Sequence, residues 1–316
     1  VVAIGHSNLD IFPLALGGNT FGWTSDESTS FEILDAFTAG GGNFIDTADS
    51  YTAFVDGNSG GESESVIGNW TAARGNRDDV VIATKVAQHP EFKGLTPKNI
   101  AAAAEASLRR LQSDHIDVYF AHTDSGDAPL VDTLAAFDSL IQDGKVRYVA
   151  ISNFSADRVA EWLKVAHDNG FAAPVALQPH YNLVTRNAYE SDLAPLAADN
   201  DLGVFPYFSL ASGFLTGKYR VREDLEGGQP RKQLAKSYFT AKGLEVVDAL
   251  SEIAEAHEEE IATVALAWLL HQPTVTAPIA SASTISQLPA LMAAPALTLS
   301  TDELARLDAT STAVSA

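Results

Sequence analysis

Short apolar runs rich in β-branched and aromatic residues recur along this chain at the spacing of one strand plus one helix. That recurrence limits the possible folds more than any other feature. The runs are FPLAL (12–16), NFIDTA (43–48), DVVIATKV (79–86), HIDVYFAH (115–122), VRYVAISN (146–153), VALQPHYN (175–182), GVFPYFSL (203–210) and VTAPIAS (275–281). Helical patterns fill the gaps. TPKNIAAAAEASLRRL places Ile100, Ala104, Leu108 and Leu111 on one stripe, with Thr96 as N-cap and Pro97 in the first turn. PLVDTLAAFDSLIQDGK aligns Leu134, Phe137 and Ile141 and offers Gly144 as its stop, while SADRVAEWLKVAHDNG is capped by Ser155 and stopped by Gly170. Eight strands alternating with helices predict a parallel sheet covered on both faces. A length of 316 residues fits one α/β domain over 1–316, a (β/α)8 TIM barrel with insertions. An open doubly wound sheet would carry G-x-G-x-x-G after its first strand, whereas this first strand runs into LALGGNTFGW. Residues 218 to 242 form the longest departure and read as a large loop between the seventh strand and its helix.

Composition removes several function classes. With 41 acidic against 20 basic residues the net charge is −21, which disfavours nonspecific binding to nucleic acid or to an anionic membrane. The absence of cysteine excludes disulfides, thiolate nucleophiles and cysteine-held metals. No apolar run reaches the ~20 residues of a membrane span, and VVAIGHSNLDIFPLAL has neither a basic start nor a signal-length apolar segment. A cytoplasmic protein is expected. The chain begins with Val1 rather than Met, so native residues can precede it.

In a barrel of this kind the reactive groups gather at the C-terminal ends of the strands. Those ends carry Asp46 with Tyr51 five residues on, then Lys85, His122, Ser152 and Asn153, Gln178, and Tyr207. Each alone has an ordinary reading as a turn residue, a solvated terminus or a packed polar side chain. Falling together on one face, they describe the wall of a polar pocket. Asp46, Lys85 and His122 converge if the second, third and fourth strands are neighbours, and the turn after Asp46 returns Tyr51 over them. A phenol, with an ordinary pKa near 10, donates a proton poorly unless its conjugate base is stabilised. The Lys85 ammonium would draw the phenol down, and Asp46 would keep that lysine charged in a buried place. His122 supplies a second hydrogen bond to the same oxygen site. Such a set can polarise a carbonyl and protonate the alkoxide formed when a hydride arrives.

The ordered blocks LALGGNTFGW, GGNFIDTADSY, SLRRLQSDHIDVYFAH, GKVRYVAISNFS, ALQPHYN and PYFSLASGFLTGKY resemble the aldo-keto reductase family over almost the whole chain. The resemblance implies a (β/α)8 barrel, an NAD(P)H cofactor and reversible carbonyl–alcohol chemistry on a small-molecule substrate. It makes Tyr51 the general acid, Lys85 and Asp46 the pair that tunes it, and His122 the residue that orients the carbonyl. Ser152, Asn153 and Gln178 would hold the nicotinamide carboxamide, with Tyr207 stacked on the ring and Asp46 close by. Phe208, Ser209, Leu210, Ala211, Gly213, Leu215, Gly217 and Lys218 fall in the loop that closes over the pyrophosphate, and Gly18, Asn19 and Thr20 in the loop after the first strand. After the eighth strand, Ala280, Ser281, Ser283, Thr284 and Gln287 mark the adenosine end. Independently, seven of the 20 basic residues (Lys218, Arg220, Arg222, Arg231, Lys232, Lys236 and Lys242) crowd into 218–242, where such barrels commonly place phosphate groups.

The chain departs from the wider family at that adenosine end. Ser281 and Ser283 stand where many members carry glycine and a basic residue or serine, Leu291 where an asparagine is common, and Phe208 where a small polar residue is usual beside Tyr207. NADP(H) is favoured, its extra phosphate read by Ser281, Ser283 and Thr284 through hydroxyl and backbone donors near a helix N-terminus; NAD(H) is the alternative. Trp23, Phe54, His89, Phe92 and Phe154 are candidates for an aromatic-walled substrate pocket. Two other classes remain open from sequence: a nucleotide-sensing protein resembling potassium-channel β subunits, and a barrel enzyme using Lys85 as a Schiff base, which an adjacent Asp46 opposes.

Overall fold

The computed structural model describes residues 1–315. Eight parallel strands follow in chain order: β1 (Ala15–Gly17), β2 (Phe44–Asp46), β3 (Val81–Val86), β4 (Ile116–Ala121), β5 (Val146–Ser152), β6 (Ala176–Gln178), β7 (Gly203–Val204) and β8 (Ile279–Ala280). Each pairs with its neighbour in sequence, and β8 pairs with β1. Closure between β7 and β8 comes from Thr276 N–H donating to Val204 O at 2.9 Å and Ile279 N–H donating to Pro206 O at 2.9 Å. The sheet is thus the closed (β/α)8 barrel expected from the run spacing. The last two strands are shorter than their apolar runs. Pro206 and Pro278 have no N–H to extend the ladder, although Phe205 and Tyr207 still donate to Leu177 O and Pro179 O.

Side-chain parity divides the core in two. Ala15, Phe44, Val81, Ala83, Val118, Phe120, Ala150, Ala176 and Phe205 point inward and fill the barrel. Ile45, Ile82, Val86, Tyr119, Val149, Ile151 and Leu177 point outward against the helices. This period of two places Asp46 on the same face as Phe44, and Lys85 on the same face as Ala83. The register then sets their heights, with Asp46 level with Ala83 and Lys85 level with Phe120.

The helices follow their sequence signals closely. They begin with α1 (Glu27–Ala39), α2 (Glu62–Arg74), α3 (Pro97–Leu111), α4 (Leu130–Gln142) and α5 (Ala156–Asn169). Ser155 Oγ accepts from Arg158 N–H at the start of α5, and Gly170 ends it at φ 70°. Thr96 occupies the N-cap of α3, but its hydroxyl makes no capping bond. Helix α2 lies on α3 so closely that a Cβ at Gly68 would come within 2.1 Å of Arg110 O. After β6 comes the short α6 (Ala194–Asp199), entered through a π-helical turn at Tyr189–Leu193.

Two features lie outside the sequence reading. An N-terminal hairpin pairs Val2–Ala3 with Asp10–Ile11, and its Ile4, Leu9 and Ile11 enter the inner core at the end of the barrel away from the loops. Between β7 and β8 stand two long helices, α8 (Ala241–His257) and α9 (Ile261–Leu270), where one was expected. The segment 218–242 is a long excursion as expected, although it holds short helical turns and α7 (Pro230–Ala235). The chain ends through α10 (Leu288–Ala293) and α11 (Thr301–Ser315), the latter packed against α8. Among the described residues no helix is long and apolar enough to cross a membrane.

Candidate active site

At the loop end of the barrel, β2 and β3 deliver Asp46 and Lys85 into a space with almost no solvent, their side chains being 1% and 0% exposed. Lys85 Nζ donates to both Asp46 oxygens at 2.8 Å, to Thr47 O at 2.7 Å and to the Tyr51 hydroxyl at 3.0 Å. The Tyr51 hydroxyl also lies 3.3 Å from Asp46 Oδ2. His122 follows β4, its ring 6.3 Å from that of Tyr51 and edge-on to it. The structure therefore brings together the four residues that the strand ends pointed to.

Burial pushes the Lys85 ammonium down, and Asp46 is the main force opposing that shift. Burial, then the Lys85 charge, holds His122 well below the usual imidazole range, so it is neutral and free to donate or accept. Tyr51 departs from the expectation. Burial, reinforced by the Asp46 carboxylate, raises the phenol well above its ordinary range, so the lysine does not draw it down. The hydroxyl is a firmly held proton beside a cation.

The surrounding residues form one connected network. Gln178 Nε2 donates to Asp46 Oδ1 at 2.9 Å, a link to the charged pair that the sequence did not reveal. Ser152 Oγ donates to Gln178 O, and Asn153, at φ 57°, donates to His122 O at 2.8 Å and accepts from the Tyr207 hydroxyl at 2.7 Å. His180 also escaped the sequence reading. Its ring stacks behind Tyr207 at 5.3 Å and bonds the Tyr238 hydroxyl at 3.0 Å. The signal for it is weak, being a histidine two residues past the last inward position of β6.

The candidate dinucleotide residues of the loops after β1, β7 and β8 lie at the same end of the barrel. Gly18, Asn19 and Thr20 are tied to the loop after β8, since Thr20 Oγ1 donates to Ala282 O at 3.1 Å and Ser281 Oγ donates to Asn19 Oδ1 at 2.6 Å. Ser63 Oγ sits where a Cβ on Gly18 would fall. In the β7 loop, Phe208, Ala211, Ser212, Gly213 and Gly217 all have left-handed backbones, turning the chain tightly on itself. Ser209 is buried and donates to Pro206 O, whereas Phe208 is 39% exposed at the mouth.

Two cations of the segment that follows lack a carboxylate partner among the described residues, whereas Arg220 pairs with Asp248. Lys218 lies over the Tyr219 ring at 5.0 Å, and the Arg231 guanidinium over Trp23 at 5.8 Å. Neither forms an ion pair with a carboxylate among the described residues. Burial lowers both cations, with Arg231 and Lys232 adding to the shift on Lys218. Ser212 Oγ is buried there without a partner, as is Nδ1 of His122 nearer the barrel. An exposed lysine, a half-buried arginine and a buried, unpartnered hydroxyl on a left-handed loop suit an anionic ligand.

In the loop after β8 the hydroxyl groups are largely paired with one another and with Gln287. Ser283 N–H and Oγ both engage Gln287 Oε1, and Thr284 Oγ1 meets Ser286 Oγ. Thr284 is the N-cap of the helical turn Ile285–Gln287, which runs directly into α10 (Leu288–Ala293).

The aromatic candidates divide. Trp23 and Phe54 meet edge-on at 5.0 Å on the rim, with Phe54 66% exposed. His89 is buried beneath Gly60 and packs on Phe92. Phe154 is buried against Trp162 and lines a cavity of about 160 Å³ behind Tyr207. His89 and Phe154 support the loops from behind, because residue spacing does not tell which side of a loop a ring takes.

A second buried carboxylate lies beside the catalytic candidates. Asp49 is fully buried, with no well-formed hydrogen bond to either oxygen. Burial, then the neighbouring Glu64, pushes it from 3.8 up to about 8, while Arg110, the Ser50 amide and Lys85 pull the other way. The native protein thus keeps a proton that the unfolded chain has lost. The resulting stability is fully present below the unfolded pKa and is lost as pH rises through the folded one. Asp49→Asn is expected to be more stable than wild type at pH 8 by about 2 kcal/mol, and no more stable at pH 4. Urea unfolding at both pH values checks this, and equal stabilities at pH 8 would contradict it.

A closed barrel with this site at its loop end defines an aldo/keto reductase, and the chain belongs to that family: the family model matches residues 13–312. The match supports an oxidoreductase, and the family generally uses nicotinamide cofactors. The chain is 33% identical to the protein named tas of Escherichia coli strain K12, over 97% of this chain and 96% of that one. It is 34% identical to the uncharacterized oxidoreductase YrpG of Bacillus subtilis, covering 90% and 87% of the two chains. A probable voltage-gated potassium channel subunit beta of rice is 32% identical, with 90% and 88% covered.

Proposed function

We propose that this protein interconverts a carbonyl and an alcohol by hydride transfer with a nicotinamide dinucleotide, NADP(H) being favoured. The observation that carries the reading is the contact of the Tyr51 hydroxyl with Lys85 Nζ at 3.0 Å, beside the neutral His122. A bound reduced nicotinamide supplies the hydride. Ser152, Asn153 and Gln178 would hold its carboxamide, Tyr207 would stack on its ring, and Lys218, Arg231 and Ser212 would meet its pyrophosphate. Gly18, Asn19, Thr20 and the Ala280–Gln287 loop would enclose the remainder, with Ser281, Ser283 and Thr284 offering neutral donors to a 2′-phosphate.

Within that enclosure the chain's own residues divide the work. His122 donates to the carbonyl oxygen and fixes its direction. Tyr51 gives its proton to the alkoxide, a transfer that its raised pKa still permits because an alkoxide is the stronger base. Lys85 stabilises the phenolate left behind, and Asp46 keeps that lysine charged. Trp23, Phe54 and the exposed Phe208 shield the reacting centre from water and favour a substrate with an apolar or aromatic body. The likeness to the rice channel subunit supports a second reading, a nucleotide-sensing partner protein, for which the intact acid–base set would be surplus.

Titration with NADPH and NADH, followed by tryptophan fluorescence, tests the cofactor. Steady-state assays with aldehydes, ketones, quinones and sugars test the chemistry. Submicromolar to micromolar binding, turnover of a carbonyl, and a higher kcat/KM with NADPH are expected. Tight binding with no turnover across the panel would favour the sensing role, and a clear preference for NADH would remove the hydroxyl reading of the 2′-phosphate.

A further inference from the structure

We propose that Glu62 is a positioning residue for the Tyr51 phenol, holding the strained turn immediately behind it. The inference rests on the general-acid reading of Tyr51. Thr52, the next residue, is buried and sits at φ 69°, a left-handed backbone that a β-branched residue rarely adopts. Such a conformation persists only where neighbouring contacts enforce it. Thr52 Oγ1 lies 2.6 Å from Tyr51 O and donates to Glu62 Oε2 at 2.7 Å. The same carboxylate gathers the far end of the loop, accepting from Ser59 N–H at 2.7 Å and from Gly60 N–H at 3.0 and 3.2 Å.

Glu62 is the first residue of α2, where the helix dipole favours a negative charge. Its Cβ also occupies the space in front of Gly22, pinning this loop to the one after β1. Burial works against the carboxylate, but the bonds from Thr52, Ser59 and Gly60 hold it below its usual range, so it stays an acceptor at neutral pH. The consequence reaches the active site through the backbone. Among the described residues the Tyr51 hydroxyl is fixed at its tip by Lys85 and Asp46 alone, and the other end of that side chain is placed by the turn that Glu62 closes. A phenol displaced by about 1 Å would lose much of its rate advantage without any change in the groups present.

The experiment compares wild type, Glu62→Ala, Glu62→Gln, Tyr51→Phe and the double variant Glu62→Ala/Tyr51→Phe. For Glu62→Ala, kcat is expected to fall roughly 10- to 100-fold, with dinucleotide Kd within about twofold of wild type. Glu62→Gln, which keeps an acceptor for the amides, is expected to recover part of the loss. In the Tyr51→Phe background the alanine change should have no further effect on residual turnover. An unchanged kcat in Glu62→Ala, or an equal loss in both backgrounds, overturns the proposal. Undiminished turnover in Tyr51→Phe would instead overturn the general-acid reading. A crystal structure of Glu62→Ala supplies a readout independent of turnover. Thr52 leaving the left-handed region and the hydroxyl moving from Lys85 supports the role, and retention of both overturns it.

Discussion

Tyr51→Phe is expected to lower kcat by roughly 10²- to 10⁴-fold while leaving dinucleotide affinity unchanged. The loss is large because the proton donor disappears and no other hydroxyl among the described residues meets Lys85 Nζ. The fold should survive, since the ammonium keeps both Asp46 oxygens and Thr47 O after the hydroxyl is gone. The ring itself stays, so its cation–π contact with Lys85, 4.8 Å from ammonium to centroid, is retained. Stopped-flow and steady-state measurement of nicotinamide absorbance, paired with a fluorescence titration, would decide the matter. A variant that turns over like the wild type would end the assignment of the phenol as acid.

Asp46→Asn should have the larger effect on stability. It leaves a fully buried ammonium with neutral oxygens for company, and breaking a buried pair in this way costs about 3–5 kcal/mol. Burial already depresses Lys85 with Asp46 present, so without that carboxylate its pKa falls further. A lysine neutral in the native state binds a proton on unfolding. Stability of the variant therefore rises with pH between the depressed native value and the ordinary value near 10.4, and its deficit narrows on going from pH 6 to pH 9. Activity should fall by at least 100-fold, an order-of-magnitude expectation for losing the tuned donor. Adding Lys85→Met to Asp46→Asn removes the stranded charge and should restore most of the stability but none of the turnover. Urea melts of wild type and the two variants at both pH values would test this, and a double variant no more stable than Asp46→Asn would refute it.

Much of the barrel and the heart of the site were legible because they depend on parity and order. A strand with alternate residues committed to the interior fixes where Asp46 and Lys85 point once its apolar residues are known. Adjacent parallel strands then bring those ends together. The N-terminal hairpin was invisible for the opposite reason, since its two-residue strands are too short for any pattern and its turn uses Gly5 at φ 46°. His180 and Gln178 show another limit. Their partners, Tyr238 and Asp46, are 58 and 132 residues away, and no local signal links them. The raised phenol of Tyr51 was missed because an adjacent cation and an adjacent anion act on it together, and only distances and burial decide between them.

The hairpin has one more effect. Ile4, Leu9 and Ile11 seal the floor of a barrel whose interior its own side chains already fill. Only the loop end is left open, so a ligand lying against those inner side chains cannot leave past a second one lying over it. If two reactants stack there in that way, the shape imposes an order of arrival and the reverse order of departure.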